Sequence, residues 1–210
     1  MLLKFGLVAG VTAATVMSVD SAYALSITET GSGGQVPPSG TLGLFESSIK
    51  ITDALSINSV SLTLNNFQHT WAEDIIAKLI YDQNGAAETT VSLFTQQGGG
   101  SDFNGTYTFQ DGGTAFPPAS VGGVLPGGTY APETTFSTFN GINSAGTWTL
   151  SLDDVQSSDL GTLGSWTLTL SDAATPPTPI PTPAAALPGL ISMGAAALRK
   201  RREGGTVEEL

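Results

Sequence analysis

The 210-residue chain contains no cysteine and a single histidine, His69. Without thiols there is no disulfide framework and no cysteine nucleophile. With one imidazole and no thiolate, a zinc site lacks its usual nitrogen and sulfur ligands. Basic residues are scarce: 7 Lys and Arg stand against 18 Asp and Glu, for a formal net charge of −11. Such a surface repels polyanions, so nucleic acid is excluded as a partner. No apolar run reaches the roughly 20 residues that a membrane-spanning helix needs. No long amphipathic helical pattern occurs in the central part, and no G-x-S-x-G nucleophile elbow is present.

What is abundant is glycine (26 residues), together with serine and threonine. The clearest pattern is a phrase used twice, GTWTLSL at 146–152 and GSWTLTL at 164–170. Each alternates large apolar with small hydroxyl side chains, the period of a strand with one dry and one wet face. Val60–Leu64 and Gly105–Phe109 alternate in the same way. Ile75–Tyr81 is apolar almost throughout, as in a central strand, and Asn84-Gly85 supplies a hairpin turn to a return strand at Thr89–Phe94. Gly112–Pro132, with Pro117, Pro118, Pro126 and Pro132, reads as a long irregular loop. About eight short strands at this spacing predict an all-β sandwich or barrel over 42–172, preceded by a lead-in at 25–41.

The two ends read as addresses. Residues 1–24 carry Lys4, a mostly apolar stretch at Phe5–Val19, and small residues Ala22 and Ala24 at the −3 and −1 positions of a cleavage site before Leu25. This is the layout of a secretory signal cut by signal peptidase. The competing reading, an uncleaved membrane anchor, has a short apolar stretch and Asp20 against it. After the sandwich comes a stiff Pro/Thr spacer at 173–183 and then a tail at 184–210. That tail has an apolar run of 15 residues, Ala184–Leu198, predicted to form a short hydrophobic helix, followed at once by Arg199, Lys200, Arg201 and Arg202. A basic cluster held on the cytoplasmic side would leave the acidic domain across the membrane.

This tail resembles the bacterial PEP-CTERM sorting domains, in the PTPA-CTERM variant, through Pro181-Thr182-Pro183-Ala184, Leu187-Pro188-Gly189-Leu190 and the Arg199–Arg202 cluster. The resemblance implies transient membrane anchoring and processing by an exosortase-like enzyme at the cell envelope; the bland alternative is a permanent tail anchor. The middle of the chain resembles the P domain (Homo B domain) of subtilisin-like proprotein convertases. The residues that carry this are His69-Thr70-Trp71-Ala72-Glu73-Asp74-Ile75, Phe139-Asn140-Gly141, and the closing region with Gly146, Trp148, Asp159, Gly161 and Trp166. It implies an eight-stranded jelly-roll β-sandwich without catalytic residues of its own, and a histidine that is structural.

Three aspartates in one connection, Asp153, Asp154 and Asp159, offer hard oxygen ligands and make calcium the one cofactor worth considering, against a solvated acidic surface. Adjacent residues of a strand point to opposite faces, so Asp153 and Asp154 make a poor acid–base pair. Trp148 and Trp166, in phase with leucines, belong to the core. Trp71 lies outside any alternation, so it either packs locally or is exposed and can stack on a sugar ring. Together these readings predict an exported, non-catalytic surface or matrix protein. The alternatives are an exopolysaccharide-binding module, or an accessory domain that works with a protease in trans.

Overall fold

The computed structural model describes residues 24–37, 41–85 and 88–174. Ala22, the sorting motif Pro181, Thr182, Pro183 and Ala184, the hydrophobic C-terminal helix and the Arg199, Lys200, Arg201 and Arg202 cluster lie outside them. No helix among the described residues is long and apolar enough to cross a membrane.

Among the described residues nine strands form two packed sheets. They are β1 (Ser26–Val36), β2 (Gly43–Ile51), β3 (Ser59–Thr70), β4 (Ile75–Asp82), β5 (Glu88–Thr95), β6 (Asp102–Ala115), β7 (Gly128–Ala131), β8 (Gly146–Asp154) and β9 (Gly161–Ser171). One sheet has the order β1-β9-β3-β6-β7 and the other β2-β8-β4-β5. Setting β7 aside leaves two four-stranded antiparallel sheets between which the chain repeatedly crosses, which is the expected jelly roll. The ninth strand, β7, has four residues and pairs parallel to β6.

β7 lies inside the stretch expected to be irregular. β6 also runs on to Ala115, past the predicted loop start at Gly112. Pro117, Pro118, Pro126 and Pro132 all flank these strands, and a proline removes only its own donor, so the segments between them remain free to pair.

The stretch 25–41, read as a lead-in, contains β1, which pairs with β9 from Ser26↔Ser171 to Val36↔Gly161. Between Ile27 and Val36, which pack on the core, its buried position is Gly31, where an apolar residue would have signalled a strand. A Cβ at Gly31 would sit 2.0 Å from Nε1 of Trp166, so the missing side chain makes room for the indole. That indole crosses the sandwich and donates to Oγ of Ser47 on β2 at 3.0 Å.

The core follows the alternation. Trp148, Leu150 and Leu152 of β8 and Trp166, Leu168 and Leu170 of β9 are fully buried. Tyr81 stacks on Trp148 with ring centroids 4.4 Å apart. The β4–β5 hairpin turns at Asn84 and Gly85, with φ of 54° and 83°, the left-handed pair that an Asn-Gly turn supplies.

Candidate functional site

One end of the core is closed by two polar side chains. His69 is the last inward residue of β3, and Asp154 the last inward residue of β8, in phase with Trp148, Leu150 and Leu152. They meet between the sheets with both side chains fully buried: Nε2 of His69 donates to Oδ2 of Asp154 at 3.2 Å. Nδ1 of His69 faces the carbonyl of Trp71 at 3.3 Å. Oδ1 of Asp154 accepts from the backbone N–H of Gln156 at 3.1 Å. Gly161, opposite His69 in the ladder, leaves the space for the ring, because a Cβ there would lie 2.7 Å from Cδ2 of His69. Both ring nitrogens thus face oxygen atoms of the protein.

Beyond this pair the chain crosses from one sheet to the other through Trp71 and a single 3-10 turn at Ala72–Asp74. Trp71 has a φ of 101°, which a bulky residue adopts only at a cost in strain. Its carbonyl is held by His69 and by the N–H of Asp74. The indole leans on the backbone of Gly100, where a Cβ would lie 3.0 Å from the ring, and remains 49% exposed.

Trp71 forms one wall of a cleft of about 420 Å³ that also takes in Glu73, Asp74, Gln96, Gln156 and Asp159. Asp74 is buried, and its carboxyl is pushed above the usual carboxylate range by that burial and by the neighbouring Asp159 and Asp154, partly offset by His69. A second depression of about 450 Å³ adjoins it on the outer face of the β1-containing sheet. The two are separated by the hydrogen bond from Thr70 Oγ1 to Asp159 Oδ1 at 2.8 Å. The floor of the second is one rung of the sheet. Gln35 of β1 pairs with Thr162 of β9, Thr162 with Gln68 of β3, and Gln68 with Asn104 of β6. All four side chains are exposed, uncharged and capable of hydrogen bonding.

The three aspartates expected to converge on calcium are placed apart. Asp153 points outward from β8, Asp154 inward to His69, and Asp159 toward Thr70. Among the described residues no three His, Cys, Asp or Glu groups are placed to hold a metal ion. Trp148 and Trp166 are core residues, and Trp71 is the exposed tryptophan. The amides of Gln35, Gln68, Gln96, Asn104 and Gln156 escaped the sequence reading. Their one signal is that Gln68 and Asn104 stand at outward positions of strands, which says nothing about which strands become neighbours.

The family model of the proprotein convertase P-domain matches residues 125–170. That stretch includes β7, Phe139-Asn140-Gly141 and both tryptophan strands, and stops short of His69–Ile75. A crystal structure of the Aeromonas sobria serine protease and chaperone complex is similar at 15% identity and a TM-score of 0.36, covering 71% of this chain and 28% of that one. This chain therefore spans less than a third of that relative. No curated protein matches the chain.

Proposed function

We propose that this is an exported, non-catalytic surface or extracellular-matrix protein in which a P-domain-like jelly roll is the binding module and a PEP-CTERM-type tail sorts it at the envelope. The observation that carries the non-catalytic reading is the state of His69. It is buried, and both its nitrogens are engaged by a carbonyl and a carboxylate. A general base needs a free nitrogen within reach of the group it deprotonates. Export and sorting rest on the signal-like residues 1–24 and on the tail from Pro181 to Arg202.

Intact-mass measurement on the protein from its native envelope tests this reading. A mature species that begins at Leu25 and has lost the basic cluster is expected. A species running from Met1 to Leu210 would overturn export and sorting together. The family match at 125–170 favours, as one version of this reading, an accessory domain that acts beside a subtilisin-like protease in trans. The half-exposed Trp71 in a polar cleft favours the other version, a module that binds exopolysaccharide.

A further inference from the structure

We propose that the Trp71 cleft is a subsite for a neutral pyranose ring of a polysaccharide, and that the polymer continues across the Gln35–Thr162–Gln68–Asn104 rung. This rests on the glycan-binding version above and names its site and ligand class. A pyranose has an apolar face of C–H groups and a rim of hydroxyls. An indole matches the face, and amides and carboxylates match the rim. The cleft supplies all three: the exposed ring of Trp71, the amides of Gln96 and Gln156, and the carboxylate of Asp159. Both glutamines are exposed residues that line the cleft, where a ligand can reach their amides. The volume of about 420 Å³ falls within the size of small-ligand sites.

Two features set the ligand class. Glu73, Asp74 and Asp159 line the cleft, and no lysine or arginine does, so uronic or sulfated sugars meet like charge. The adjoining rung is four uncharged polar side chains over four strands, with the carboxylate of Asp102 in the same depression, which gives a neutral chain hydroxyl-binding groups beyond the first ring. The indole already rests against the backbone of Gly100 before any ligand arrives, which lowers the ordering cost of binding.

Native affinity electrophoresis of the full chain tests this, in gels containing a β-glucan, a mannan, a xylan, an alginate or a polygalacturonate. Titration calorimetry with oligosaccharides of the retarding polymer follows. Retardation by at least one neutral polymer and by neither acidic one is expected. Trp71→Ala should weaken binding about tenfold or more, and Gln156→Ala severalfold. Gln68→Ala should weaken long oligosaccharides more than a disaccharide. Should Trp71→Ala fail to fold, judged by circular dichroism, Gln156→Ala and Gln68→Ala decide. Undiminished binding in the folded variants, or binding to acidic polymers alone, overturns this site while leaving glycan binding intact. No retardation by any polymer overturns the glycan-binding version itself.

Discussion

His69 shows how one residue can be bound to the fold rather than to chemistry. Its ring joins β3 to β8 across the sandwich through Asp154, with both partners shielded from water. Removing one partner of a buried pair leaves the other charge uncompensated, which costs about 3–5 kcal/mol. His69→Ala is therefore expected to lower the unfolding free energy by that order, and an unchanged midpoint in equilibrium denaturant unfolding would contradict the role assigned here. Asp74 works in the opposite sense. Its carboxyl titrates higher in the folded chain than in the unfolded one, where the ordinary value is 3.8. The folded state therefore holds its proton more tightly, and ionisation destabilises it as pH rises above that value. Asp74→Asn is expected to be more stable than the parent at pH 7, with the difference vanishing near pH 3; thermal melts at the two pH values measure it.

Among the elements, β1 and β7 are the two that a pattern of alternating apolar residues cannot reveal. β1 presents Gly31 to the core because Trp166 fills the space that a side chain there would need. β7 is four residues long, and it is a strand because β6 offers a free edge beside it. By contrast β8 and β9 were legible, since Trp148, Leu150, Leu152, Trp166, Leu168 and Leu170 repeat at a strict period of two and are all buried. The importance of Gly31 can be checked directly. Gly31→Val forces a branched side chain onto the indole of Trp166, and overpacking of this kind costs about 1–3 kcal/mol. A loss of stability without loss of the β-rich circular dichroism spectrum is the expected outcome.

For the whole molecule, the crossing of the chain between sheets gathers the loops after β3 and β8 at one end of the sandwich. That end holds the buried His69–Asp154 pair, the Trp71 cleft and the adjoining amide rung. Among the described residues no three His, Cys, Asp or Glu groups are placed there to hold an ion, and the pleat of β8 sends Asp153 and Asp154 to opposite faces. Treatment with EDTA is accordingly expected to leave the melting temperature unchanged, since only an ion bound to the native state raises it. A fall in melting temperature that calcium restores would show that the aspartates rearrange around an ion.

The sequence by itself determined the all-β class, the two tryptophan strands and their place in the core, the Asn-Gly hairpin and the acidic balance. Each of these is a local property, written in alternation, turn chemistry or composition. Tertiary structure alone decided that His69 meets Asp154, 85 positions away, that Gln35, Thr162, Gln68 and Asn104 form one rung, and that Trp71 stands beside Gln156 and Asp159. Such neighbours depend on strand order, and strand order is set by how two sheets bury one shared core, which no local pattern encodes.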